Sequence, residues 1–171
     1  MNPVNTFGLL TALRTALQPE LATLPLPVMG RQSSGKAVDV DGETLRPAAL
    51  HLGAMPPTMQ DALGSVPFVV IQPFGGFDRE GTHHIRVALR VCIVGADSEW
   101  AENDLHNLLS LLRRALIEKG CPALENRFRL IPESNDQLAP WERPDEQAYP
   151  FLQAYILTTW QTKGTAYVSA I

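Results

Sequence analysis

Phe7, Leu10, Leu13 and Leu17 recur at steps of three and four, so the chain opens with an amphipathic helix over residues 5–18. Asn5 or Thr6 caps its start, Pro19 marks its stop, and Leu21 and Leu24 are spaced to extend the apolar stripe by a turn. Residues 25–65 carry no period. Pro25, Pro27, Gly30, Gly35, Gly42, Pro47, Gly53, Pro56, Pro57 and Gly64 interrupt them throughout, which excludes a long helix. The expected form is an irregular excursion with one short strand, drawn from apolar pieces such as Ala48–Leu52.

A compact β segment follows. Val66–Phe74 (VPFVVIQPF) is rich in β-branched residues and bounded by Pro67 and Pro73. GGFDREGTHH reads as a loop. Ile85, Val87, Leu89, Val91 and Ile93 then alternate with Arg86, Ala88, Arg90 and Cys92, the clearest strand signal in the chain. The two runs are expected to pair as an antiparallel hairpin with a long tip.

Gly95 to Ser98 ends that strand and caps a helix over about residues 98–119. Ala101, Leu105, Leu108, Leu109, Leu112, Ala115 and Leu116 form its apolar face. Acids crowd its first turns and Arg113, Arg114 and Lys119 its later ones, matching the helix dipole, and Gly120 is a stop. Arg127–Ile131 reads as a third strand, 132–147 as a polar loop, and Phe151–Gln161 as a fourth strand. Both faces of the last strand are semi-apolar, which places it inside the sheet, or between a helix on one side and a neighbour on the other. Strands and helices do not alternate strictly, so a doubly wound parallel sheet is rejected. The expected fold is a single α+β domain over residues 1–171: a mainly antiparallel sheet of about four strands, with two helices on one face and the excursion beside it.

Composition sharpens this only slightly. Lys+Arg is 14 and Asp+Glu is 18, a net charge of 14 − 18 = −4, and the three lysines, Lys36, Lys119 and Lys163, are scattered. That argues against sequence-independent nucleic-acid binding, which needs clustered cations. Cys92 and Cys121 have no CxxC partner and read as small apolar residues in a reducing compartment. The start MNPVNTFGLL lacks the pattern of a signal peptide, and no apolar run reaches the roughly 18 residues of a membrane span, so no membrane partner is expected.

Candidate chemistry is sparse. His83 and His84 stand near Asp78 and Glu80, but neighbours on a strand face opposite ways and do not readily share a metal. Ser33–Lys36 lacks the glycine spacing of a phosphate loop, and Asp39–Gly42 lacks the acidic ligand of a calcium loop, since Leu50 stands there. Glu133, Asp136, Glu142, Asp145 and Glu146 lie in a loop beside prolines, with nothing nearby to split their pKa values for acid–base work. No catalytic residue, cofactor or metal is therefore expected. The pattern favours an interaction or assembly protein over an enzyme.

The linear order of motifs is more specific than any one of them. GAMPPTMQDALGSVPFVVIQPFGGFD (53–78), IRVALRVCIVGAD (85–97), DLHNLLSLLRRALIEKG (104–120), NRFRLIPE (126–133) and YPFLQAYILTTWQT (149–162) together resemble the tail-terminator, or tail-completion, proteins of long-tailed bacteriophages and prophages. In that family a PFVVV-like strand precedes a strand ending near Gly-x-Asp, a helix with an LLxxLRRAL-like core follows, and a Pro-aromatic strand ends in Thr-Trp. The resemblance covers roughly residues 50–162, and residues 25–50 fall outside it.

The resemblance implies a ring of identical subunits, commonly a hexamer, on the last ring of the tail tube. Its partners would be copies of itself, the tail tube protein and a head connector or head-completion protein. DNA would pass the lumen without specific binding. The location implied is the host cytoplasm during assembly and then the virion tail. Against that background the hairpin tip residues Phe74, Phe77, Asp78 and Arg79, the strand arginines Arg86 and Arg90, and the loop residues Trp141, Glu142 and Arg143 are the candidate assembly interface. Arg86 and Arg90 are expected either to meet acids of a neighbouring subunit or to be solvated. The alternatives are another head–tail connector or tail-tube protein, and a small metal-dependent enzyme using the His83/His84 loop.

Overall fold

The computed structural model describes residues 5–29, 32, 34–39, 42–53, 66–95, 99–133, 135–147 and 150–163. The expected helix cap at 97–98 and the first motif residues, 54–65, lie outside them. Helix α1 spans Thr6–Leu21, and the Asn5 side chain accepts from the Gly8 N–H at 2.9 Å, the expected cap. Two details of the helix are corrected. Pro19 does not stop it, because one lost hydrogen bond in the last turn is outweighed by the burial of Leu17 and Leu21. Phe7 does not join the core and is 67% exposed. Helical side chains lean toward the N-terminus, so an aromatic in the first turn points past the end of the packed surface.

Among its described residues the excursion contains three short strands where one was expected. β1 (Pro25–Pro27) and β2 (Leu45–Pro47) form a small antiparallel sheet, and β3 (Ala49–Leu52) lies parallel to β4. Leu26 and Ala48 are buried in the main core, so the segment packs on the domain.

β4 (Phe68–Arg79) and β5 (Thr82–Val94) form a long hairpin. The expected long loop between them is corrected: strand pairing continues to Arg79 and Thr82, and only Glu80 and Gly81 turn the chain. Both have positive φ, 51° and 76°, as a two-residue hairpin turn matched to strand twist requires. A bulge between Pro73 and Gly75 shifts the register by one residue. At Gly76 an added Cβ would lie 2.7 Å from the His84 carbonyl oxygen, so only glycine permits this approach.

Helix α2 spans Glu99–Gly120. β6 (Arg129–Ile131) and β7 (Trp141–Glu142) both pair with β8 (Phe151–Lys163), on the side away from β5. The sheet order is β3-β4-β5-β8-β6, with β7 beside β8 next to β6, and all pairs except β3–β4 are antiparallel. The fold is thus α+β, with the four expected strands joined by two short ones and β8 in the interior of the sheet.

The alternation in β5 decides the layering. Ile85, Val87, Leu89, Val91 and Ile93 join Leu152, Ala154, Ile156 and Trp160 of β8 and the apolar faces of both helices in one core. The opposite face of the sheet holds a smaller cluster of Val66, Phe68, Val70, Cys92, Val94 and Phe151. Beyond it that face is polar or half-exposed.

Candidate assembly surface

From Phe74 to Arg79 every residue of β4 is exposed, while its backbone pairs with β5 on one side only. β3 covers β4 no further than Ile71, and among the described residues no strand lies beyond. The free edge carries Phe74 and Phe77, 43% and 47% exposed. Both rings are partly supported. The Arg86 guanidinium lies 4.5 Å from the centre of the Phe74 ring, and Phe77 stacks on His84 with centroids 4.5 Å apart and planes 6° from parallel. Asp78 meets the His83 Nδ1 at 2.5 Å, and Arg79 stands 3.7 Å from Glu80. His83 and His84 pair across the hairpin with different residues, Asp78 and Phe77, as expected for side chains on opposite faces. No group of three or more metal-ligating side chains occurs among the described residues.

The strand arginines find partners within the chain. Arg86 donates from Nε and Nη2 to Glu133 Oε1 at 3.1 and 2.5 Å, while the Thr159 hydroxyl donates to Glu133 Oε2. Burying a carboxylate is costly unless it is paired and hydrogen-bonded, and Glu133, with its side chain 8% exposed, is both. Arg90 donates to Gln153 Oε1 at 3.1 and 2.5 Å and lies 5.6 Å from the Tyr155 ring. Both arginines are thus held by partners within the chain, while the Arg86 side chain stays 41% exposed. Further along β5 on the same face, the Cys92 thiol is pushed up to about 12 by burial, opposed by the nearby charge of Arg90.

Loop 132–147 is held at both ends and in the middle. Besides Glu133, the Arg113 Nε donates to the Ala139 carbonyl at 2.8 Å, and Arg143 Nη1 donates to both carboxylate oxygens of Glu102 at 3.1 and 2.9 Å. Gln147 accepts from the Gln153 N–H at 2.7 Å. Trp141 sits in β7 opposite Ile156, with its ring edge-on to exposed His106 of α2 at 5.4 Å. Trp141 remains 37% exposed, and Glu142 beside it is exposed. The anchors Glu133, Arg113 and Gln147 were invisible to pattern reading, because each acts across more than one element. The nearest signal was the presence of acids in the loop and of arginines on the polar face of β5.

Eight of the nine candidate residues thus form two groups. Phe74, Phe77, Asp78, Arg79 and Arg86 lie together on the hairpin, and Trp141, Glu142 and Arg143 lie on the strapped loop along β8. Arg90 stands on β5 between β4 and β8, toward the end away from the turn. A groove of about 420 Å³ between the C-terminal end of α1 and the middle of α2 is lined by Thr23, Leu24, Asn107, Ser110, Leu111 and Arg114, and brings no acid–base pair together. The fold places the chain among α+β domains with helices on one sheet face. In comparison with known proteins, no family model matches the chain and no curated protein matches it.

Proposed function

We propose that this chain is a tail-terminator protein, which caps the tail tube of a long-tailed phage or prophage as a ring, ends tube growth and offers the surface to which the head is joined. The observation that carries the reading is the outer edge of the hairpin, with Phe74 and Phe77 exposed on a strand edge that no further strand covers among the described residues. Exposed edges invite pairing with another chain, and aromatic side chains on such an edge supply the apolar anchors of an interface. The order of motifs from Gly53 to Thr162 supports it from the sequence side. A terminator needs a self-limiting interface, and head-to-tail contacts that close by rotation provide one. The partners on this reading are further copies of the chain, the tail tube protein and a head connector, with DNA passing through the lumen. Deleting the gene in the phage or prophage that carries it tests the reading. The expected result is tails of uncontrolled length, or tails that do not join heads, by electron microscopy; normal infectious particles would overturn it.

A further inference from the structure

We infer that the ring closes by edge-to-edge strand addition, the free edge of β4 in one copy pairing with the free edge of β6 in the next. The inference rests on the ring reading and deepens it by naming the two surfaces. At the hairpin end the sheet is four strands wide, and the registers align Phe77 of β4 with His84, His84 with Gln161 of β8, and Gln161 with Arg129 of β6. The next row runs Gly76, Ile85, Trp160, Leu130, and the third runs Gly75, Arg86, Thr159, Ile131. Both outer strands of these rows lack a further strand partner among the described residues. Two different edges at one level are what a head-to-tail contact needs; a single edge would give only a two-fold dimer.

Strand polarity agrees. β4 and β8 run one way and β5 and β6 the other, so a neighbour's β4 beside β6 continues the antiparallel alternation. The side chains agree as well. In the level register exposed Arg129 stands opposite the exposed ring of Phe77 in the next copy, a cation over an aromatic face. Leu130 and Ile131 stand opposite Gly76 and Gly75, which leave them room. Pro73 and the bulge after it end the pairable edge at Gly75. The occupant that fits is a second copy of this chain.

Cysteine cross-linking tests it, in a background where exposed Cys121 is replaced by serine and buried Cys92 is kept. Phe77→Cys and Arg129→Cys are combined in the full chain. Within one copy these positions are three strand spacings apart, about 14 Å, too far for a disulfide. Oxidation of the double variant is expected to give a ladder of covalent oligomers on a denaturing gel. An equal mixture of the two single variants is expected to add a covalent dimer of one of each, identified by its mass. Native mass is measured on the same samples by light scattering, and circular dichroism checks that both exposed sites tolerate the change. Oligomers without these cross-links overturn the edge pairing and leave the ring reading standing. A strict monomer without cross-links up to high concentration overturns both.

Discussion

At the scale of single residues, Trp160 and Cys92 show how burial assigns roles. Trp160 is 1% exposed, its Nε1 donates to the Thr158 hydroxyl at 2.9 Å, and that hydroxyl donates to the Val87 carbonyl at 2.8 Å, so the indole is buried with its one polar atom satisfied. Gly120 leaves space for it: an added Cβ would lie 3.0 Å from the Trp160 ring and 2.7 Å from Leu130 Cβ. Gly120→Ala is therefore expected to cost about 1–3 kcal/mol through overpacking, read by chemical denaturation. A stabilised variant would contradict that packing. For Cys92 the sign follows from the raised thiol. Below its ordinary value of 9.0 the proton is bound in folded and unfolded chains alike; between 9.0 and about 12 only the unfolded chain loses it, so stability falls as pH rises. The melting temperature is expected to decline above pH 9, and less steeply in Cys92→Ala. A thiol reagent at neutral pH is expected to label one cysteine, exposed Cys121, until the protein is unfolded. Of these roles the sequence showed the alternation that buries Cys92. It could not show the clearance at Gly120, which depends on where α2 meets β6 and β8.

At the scale of elements, the hairpin and the loop diverge from their sequence patterns for different reasons. Alternation breaks after Pro73 because the bulge slips the phase by one residue, and Gly75 and Gly76 add no side chains to mark a face. Pairing survives because the backbone bonds to β5 do not depend on side-chain type. Loop 132–147 reads as polar because it is polar, yet buried Glu133 ties it to β5 and β8. Glu133→Ala leaves Arg86 without its carboxylate and Thr159 without its acceptor. Since the Arg86 side chain is 41% exposed and water can rescue it, the expected loss is about 1–2 kcal/mol by chemical denaturation. Faster amide exchange in residues 135–147 is expected to accompany it; unchanged exchange would mean that the other anchors suffice.

At the scale of the whole molecule, the exposed aromatic edge lies outside both buried clusters, so folding and the proposed assembly are expected to be separable. Phe77→Ser is expected to leave the melting temperature within a few degrees, because an exposed surface substitution usually changes stability by less than about 0.5 kcal/mol. Self-association by light scattering is expected to weaken at the same time. A parallel loss of both would place Phe77 in the core instead. With a net charge of −4 and scattered lysines, the chain is expected not to retard duplex DNA at physiological salt, and a salt-sensitive gel shift would overturn the view of DNA as a passive passenger.

The amino-acid sequence by itself determined the two helices, the apolar parts of strands β4, β5 and β8, the face of β5 that turns inward, and the α+β class. These follow from local periodicity, where burial repeats every 3.6 or two residues. Only the tertiary structure decided the tight turn at Glu80 and Gly81, the strands β1 and β2 of the excursion, the exposure of Phe7, the Glu133 strap, and the single row that sets Phe77 and Arg129 at opposite edges of one sheet. Each of these depends on contacts between residues far apart in the chain, whose energies no local window contains.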